Sequence, residues 1–397
     1  MTTPMNDLDA LRAELAARET PAMLPALAYT SPEVLAWELR EVFAGTWTCL
    51  GRVDELLPTG ATQAAVAVGD VGVLLTRDDE RVRMFANTCR HRGHELLAPG
   101  GTSQRQSVVC PYHAWSYDLA GRVVAARGFR DLEGFDPEEH GLVELPVTVW
   151  CGWAFGHAAR PIGDPGVPDF ALHLGAMDGI VAAYRPQDLR LGRRHDYEVA
   201  ANWKVVAENY HECYHCPVIH PELSRVSPPA SGSNYHLSGA WVGGSMQLGQ
   251  GMTTMSLDGR SGGRPIAGVS PTTIEYVHLL PNLLVSAHPD YVMVHRLTPV
   301  AADRTSIECA WYFPPDDLGG LPDPAYAVDF WDLTNRQDWA ACESVQRGLA
   351  SPHFRPGPFA PDEDAVARFD GMLADAYLGR AITATADLGE DPTGIVQ

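Results

Sequence analysis

The sequence has no run of apolar residues approaching the roughly eighteen that a membrane-spanning helix needs, so no spanning segment is expected. It is also short of positive charge. Its 29 Lys and Arg stand against 50 Asp and Glu, a formal net charge of −21. Phosphate binding needs clustered cations, so this balance argues against nucleic acid and anionic membranes as partners. It suits a cationic substrate or a basic partner patch, and otherwise favours solubility. Cysteine is too sparse for a disulfide framework, with eight spread over 397 residues. Cys49, Cys151 and Cys309 sit in apolar surroundings such as TWTCLG and VWCGWAF and are expected to be buried small hydrophobes. The opening MTTPMNDLDALRAELAARE lacks the basic start, apolar middle and cleavage site of a signal peptide, so a cytoplasmic location is expected.

What is present is ordinary globular composition, 45% hydrophobic and 20% charged, enough for two or three domains. Residues 6–19 and 31–45 read as helices, the second with Ser31 as N-cap and Pro32 at the first helical position. From 46 to 157 the texture turns to short alternating runs: AAVAV, a Gly69-Asp70 turn, VGVLLTR, then RVRMFAN. These predict hairpins in a small β-domain. ARPIGDPGVPD (159–169) reads as a linker. Beyond it, 197–215 reads as a strand running into a helix, 272–300 and 305–313 as strands, and 322–349 as a long helix, with another near 362–379. The closing DLGEDPTGIVQ is expected to lie loosely on the surface.

Two stretches carry chemistry. The first is CRHRGHEL (89–96) with CPYHAW (110–115), which reads as Cys89-x-His91, eighteen residues, then Cys110-x-x-His113. A structural zinc could use two cysteines and two histidines. However, each half carries one Cys and one His in the same order, which suits two opposed β-loops. A [2Fe–2S] cluster with two cysteines on one iron and two histidines on the other explains that pairing. His94 fits no ligand slot in this spacing.

The second stretch is ENYHECYHCPVIH (208–220). Its Cys213-x-x-Cys216 pair follows about two turns of expected helix, the wrong end for an activated thiolate, and no second Cys pair follows to make a zinc ribbon. Both cysteines are therefore read as helix packing. The alternative is Glu212-x-x-His215-x₄-His220. A three-residue step puts Glu212 and His215 on one helical face, and Pro217 breaks the helix so that His220 can turn back. Two histidines and a carboxylate form the facial triad of non-haem Fe(II) oxygen chemistry. Two carboxylates compete for the third place. Glu212 is near in sequence; Asp338 interrupts the apolar stripe Trp331, Thr334, Cys342, Val345, Leu349 of the long C-terminal helix and would need a cation there.

Taken together, the two patterns resemble the oxygenase (α) subunit of the Rieske non-haem iron oxygenases, over about residues 30 to 380. That resemblance implies an α+β chain: a β-rich Rieske [2Fe–2S] domain and a helix-grip catalytic domain, an antiparallel sheet with a long C-terminal helix. By position it implies an N-terminal helical segment (1–45) packing on the catalytic domain, a Rieske domain (46–160) and a mononuclear iron domain (161–397). In the family a D/E-x-x-H-x₄-H motif follows an NWK segment, here NWKVVAEN (202–209). The resemblance thus assigns Cys89, His91, Cys110 and His113 to the cluster, His215, His220 and Asp338 to the iron, and Glu212 to an inter-subunit electron bridge. Ala114 stands where many members have Gly after the second cluster histidine, a departure expected to leave ligation unchanged.

Glu212 itself departs from the Asp of many aromatic-ring dioxygenases. With ECYHC around it and QDWAACESVQRGL later, it looks more like the branch acting on glycine betaine, stachydrine and carnitine. The resemblance therefore implies O₂-dependent N-demethylation of a quaternary ammonium compound, with cis-dihydroxylation of an aromatic ring as the alternative. It also implies a homotrimer in which one subunit's cluster serves the next subunit's iron. No Gly-x-Gly-x-x-Gly follows a strand, so NAD(P)H should be oxidised by a separate reductase, directly or through a ferredoxin. A cationic head favours aromatic faces, and Tyr210, Tyr214, Trp241, Tyr276, Tyr291 and Trp311 are possible walls. Asn209, three residues before Glu212, is expected near the iron.

Overall fold

Gly69 and Asp70 turn the chain between the strands Gln63–Val68 and Val71–Asp78, as the alternating runs predict. Gly69 has φ +60°, and a Cβ there would meet the Leu39 carbonyl oxygen at 2.0 Å, so no other residue fits. In this computed structural model, residues 5–79, 81–129 and 132–382 are described. The chain divides into two compact units: one runs from Trp37 to Phe170, and the other joins the chain up to Ala36 with the chain from Ala171 onward.

The first unit is β-rich. Its main antiparallel sheet runs in the order Thr102–Ser103, Gln63–Val68, Val71–Asp78, Arg81–Ala86, Glu144–Leu145. Alternate residues of these strands, Ala64, Val73, Leu75 and Met84 among them, are buried in one apolar core. A smaller sheet of Ser107–Val109, Ser116–Asp118 and Val123–Ala125 lies beside a second cluster built on Leu74, Phe85, Val108, Trp115 and Tyr117. Residues 159–169 hold no helix or strand. Cys49 is buried as expected, but Cys151 is only half-buried. It sits at φ +49° with Gly152 at +85°, the tip between strands Val147–Trp150 and Trp153–Gly156. A two-residue hairpin turn with both φ positive projects its side chains outward, which overrode the apolar context.

In the second unit seven antiparallel strands form one sheet. Its order is Arg190–Val199, Arg304–Phe313, Val292–Ala301, Leu283–Ala287, Thr273–Leu279, Trp241–Gln247, Ser233–Asn234. The helix Ala325–Leu349 is fastened to this sheet by polar tips on its inner face. Trp331 Nε1 donates to Tyr291 Oη at 2.7 Å, and Tyr197 Oη donates to Asp332 Oδ1 at 2.7 Å. This is the helix-grip arrangement. Val345, expected on the buried stripe, is 42% exposed; Gln346 takes the inner place, where its Oε1 accepts the Asn202 N–H at 2.9 Å. The N-terminal helix Asp7–Ala16 lies on the same unit, with Arg12 Nε donating to the Tyr377 carbonyl at 2.8 Å. Ser31 Oγ accepts the Val34 N–H at 3.3 Å, the expected cap of Pro32–Glu38. No helix among the described residues is long and apolar enough to cross a membrane. The tail 387–397 lies outside the described residues.

Candidate active site

The first donor set sits on two loops of the β-rich unit. Cys89 follows Arg81–Ala86, and its N–H donates to the His94 carbonyl at 2.8 Å; Cys110 follows Ser107–Val109, and its N–H donates to the Trp115 carbonyl at 2.8 Å. Both sulfurs are buried, and Tyr117 Oη lies 3.3 Å from Cys89 Sγ. The His91 and His113 rings approach to 4.8 Å between centroids, and His91 stacks on Trp115 at 5.1 Å. The Nδ1 atoms of His91 and His113 are buried with no hydrogen-bond partner. Two orphaned ring nitrogens on the same two loops as two buried thiols are costly unless something binds them. That is a fit to a cluster with two sulfur and two nitrogen donors. His94 instead points its Nδ1 at the Glu95 carbonyl and is exposed. Ala114 stands at φ +59°, the left-handed region that glycine enters freely, so the turn is strained by about 1 kcal/mol while its donors stay in place.

The second set converges differently from the expectation. The helix Trp203–Tyr210, capped by Asn202, ends at His211, so Glu212 and His215 lie in a loop rather than on one helical face. The loop is held by Glu212 itself, whose Oε2 accepts the N–H groups of Tyr214 and His215. Pro217 does not break a helix. It stands in the first turn of a new short one, Cys216–Ile219. Cys213 and Cys216, expected as helix packing, form a disulfide, because the loop brings their Cα atoms to 4.9 Å.

Around this loop His215, His220 and Asp338 bring one donor atom each within 4.8 Å of one another. His220 Nε2 is 2.8 Å from Asp338 Oδ1 and 3.2 Å from His215 Nε2, and His215 Nε2 is 3.4 Å from Asp338 Oδ1. Each imidazole is oriented from behind. His215 Nδ1 bonds Glu212 Oε1, and Gln337 Oε1 accepts from His220 Nδ1 at 2.7 Å. Both Nε2 atoms are thereby turned to the common point. Glu212 is thus behind a donor rather than among the three. Burial would lower the pKa of His215, but its bonds to Asp338 and Glu212 push it up to about 9. Burial would raise that of Asp338, but the two histidines hold it down. The cluster therefore calls for positive charge at its centre, and two nitrogens with one carboxylate fit a ferrous ion with open positions.

A cavity of about 880 Å³ opens on these groups. Asn209 lines it, as do Tyr210, Tyr214 and Tyr276. Trp241, Tyr291 and Trp311, also named as possible walls, are buried elsewhere in the core; Trp331 and Trp339 of the long helix stand in the cavity instead. Gln337 and Trp339 were not singled out in the sequence, and Trp331 was read only as part of the buried stripe. Their signal was present in the sequence: all three share the helix that carries Asp338 and stand within two turns of it.

Residues 186–379 match the family model of the ring hydroxylating alpha subunit (catalytic domain), and residues 46–136 match that of the Rieske [2Fe-2S] domain. The glycine betaine monooxygenase oxygenase subunit of Chromohalobacter salexigens is 30% identical over 408 residues, spanning 94% of this chain and 89% of the relative. Among solved structures, the quaternary ammonium Rieske monooxygenase CntA in complex with its substrate L-carnitine matches with a TM-score of 0.72 at 25% identity. The match covers 95% of this chain and 99% of that one. Naphthalene 1,2-dioxygenase from Rhodococcus sp. bound to indole matches with a TM-score of 0.69 at 17% identity, over 94% and 97%. That last likeness speaks to the fold alone.

Proposed function

This chain belongs to the Rieske non-haem iron oxygenases as an oxygenase (α) subunit, and from that premise we propose that it hydroxylates an N-methyl group of a quaternary ammonium or betaine-type compound. It is an oxidoreductase, and its cofactors are a Rieske [2Fe–2S] cluster and a mononuclear non-haem iron. The reading rests on one observation: the His215, His220 and Asp338 donors open on a cavity faced with Tyr210, Tyr276, Trp331 and Trp339. Aromatic faces attract a methylated ammonium, and desolvation in a cavity strengthens that attraction to about 2 kcal/mol per good contact. The names of the relatives, acting on glycine betaine and carnitine, support the same substrate class.

In this reading His215, His220 and Asp338 hold the iron, which supplies O₂ activation when bound, and Cys89, His91, Cys110 and His113 hold the cluster. The change at the substrate is balanced as follows. One O₂, two electrons and two protons convert an N-methyl carbon to N-hydroxymethyl and release water. The N-hydroxymethyl group then expels formaldehyde and leaves the demethylated amine. The aromatic walls orient the methyl toward the donors and exclude water. Gln337 keeps His220 in the tautomer with Nδ1–H, and Glu212 does the same for His215. Glu212 also carries the electron's entry route from a neighbouring subunit of a homotrimer, and a separate NAD(P)H-dependent reductase, directly or through a ferredoxin, supplies those electrons. The electron source goes with a cytoplasmic location.

Cis-dihydroxylation of an aromatic ring would use the same metals and the same fold. The carboxylates Asp362 and Asp364 on the cavity wall weigh against an apolar substrate. The test is to incubate the iron-loaded protein with reductase, NADH and O₂ against a panel of trimethylammonium compounds and aromatic acids. Formaldehyde without a diol is the expected result; a cis-diol product overturns the reading.

A further inference from the structure

The cavity is one-sided in charge. Four carboxylates line it, Glu212, Asp338, Asp362 and Asp364, and no lysine or arginine among the described residues does. Asp338 and Glu212 face the metal donors and balance a divalent ion there. The other two stand away from it: Asp362 is exposed at the cavity's edge, and an Asp364 oxygen lies 3.0 Å from His236 Nε2. The lining His295 adds no positive charge at neutral pH, since burial lowers its pKa to about 4.

The wall between is a row of rings, three of which carry an unspent donor. Tyr276 meets Tyr210 at 6.1 Å between centroids, Tyr210 meets His295 at 6.4 Å, and His295 meets Trp339 at 6.0 Å, each pair edge to face. Tyr276 Oη, Trp339 Nε1 and both ring nitrogens of His295 are buried and have no hydrogen-bond partner. Tyr210 Oη, by contrast, already donates to the Val285 carbonyl at 2.8 Å. These unused donors on an aromatic wall lack an acceptor, and the substrate is the group that enters there.

We infer that the site takes a net-cationic trimethylammonium compound whose other end carries an uncharged oxygen, an amino-alcohol in type, in preference to a zwitterionic betaine. The inference rests on the N-methyl hydroxylation reading above and narrows its substrate. A carboxylate entering this cavity would be desolvated beside like charges with no lysine or arginine among the described lining residues to meet it. It could not turn to the metal instead, because that end must receive the methyl carbon. A hydroxyl or carbonyl oxygen costs far less to bury and satisfies a donor of the wall.

Choline and glycine betaine form a matched pair, alike at the head and differing in a hydroxymethyl against a carboxylate. Calorimetric titration of the iron-loaded holoenzyme with each is expected to give choline at least tenfold the affinity of glycine betaine, with tetramethylammonium also bound. Glycine betaine binding as tightly as choline, or tighter, overturns the inference and leaves the N-methyl reading standing. Failure of all three to bind at millimolar concentration overturns both. Asp362→Arg, on an exposed residue whose change should not disturb folding, is expected to shrink the choline preference about tenfold. An unchanged preference would deny the acidic rim its part and overturn the charge argument.

Discussion

At the scale of single residues, the site depends on what stands behind the donors. Gln337 Oε1 accepts from His220 Nδ1, and this bond fixes which ring nitrogen faces the metal. In Gln337→Leu the imidazole loses that anchor, and the mononuclear iron should bind about 10–100-fold more weakly. Gln337→Glu keeps an acceptor and should retain iron. Metal analysis against the cluster's visible absorbance separates the two centres, and equal iron in wild type and Gln337→Leu would refute the role. Glu212 is the sharper case, because it binds His215 Nδ1 and two backbone N–H groups at once. Glu212→Gln keeps the shape and removes the charge. Both metals should stay while turnover collapses. If iron is lost instead, Glu212 is a ligand and the assignment of Asp338 is wrong.

At the scale of elements, the helix Trp203–Tyr210 and the helix Asp364–Tyr377 enclose a buried acid pair whose effect on stability has a definite sign. Tyr29 Oη donates to Glu208 Oε1 at 2.6 Å, and the Leu24 N–H donates to Asp370 Oδ2 at 3.1 Å. Lys204, the only lysine in the chain, is buried nearby against the rings of Trp203 and Tyr29. Burial pushes Asp370 up to about 7 despite the bonds and cations that lower it, and burial and Asp370 together raise Glu208. The folded protein thus keeps protons that the unfolded chain has released. Their contribution is fully present below about pH 4 and is lost as pH rises through about 7. Thermal unfolding from pH 5 to 8 should show a falling midpoint that flattens in Asp370→Asn; an equal slope in the variant would sink the assignment. The elements themselves were unevenly legible. The hairpin at Gly69 and the long helix were readable because turn chemistry and a 3.6 period are local. The end of the helix Trp203–Tyr210 at His211 was not, since a carboxylate taking two backbone N–H groups leaves no period. The donor set could still be read because ligand spacing survives whether a helix or a loop carries it. The ring row depends on contacts between the sheet and its helices, the inward turn of Gln346 on its bonds to Asn202 and Tyr29, and the disulfide on the loop that Glu212 holds; sequence spacing encodes none of these.

At the scale of the whole molecule, the residues proposed for the cluster belong to one compact unit and those proposed for the iron to the other, so in the proposed reading the electron passes from unit to unit. In the homotrimer proposed above, that passage runs between subunits, which makes the two centres of one chain separable in function. Cys89→Ala should abolish the cluster and spare the iron; Asp338→Ala should do the reverse. Each variant alone has no complete path and should be inactive. Co-assembled in equal amounts, a cluster-bearing subunit sits before an iron-bearing one at about a quarter of the junctions, since each partner is right half the time in a closed ring. Activity should therefore return to about a quarter of the wild-type value. Passage within one subunit would give no recovery at any ratio. The two outcomes differ qualitatively, and metal analysis of each variant before mixing ensures that only the intended centre is missing.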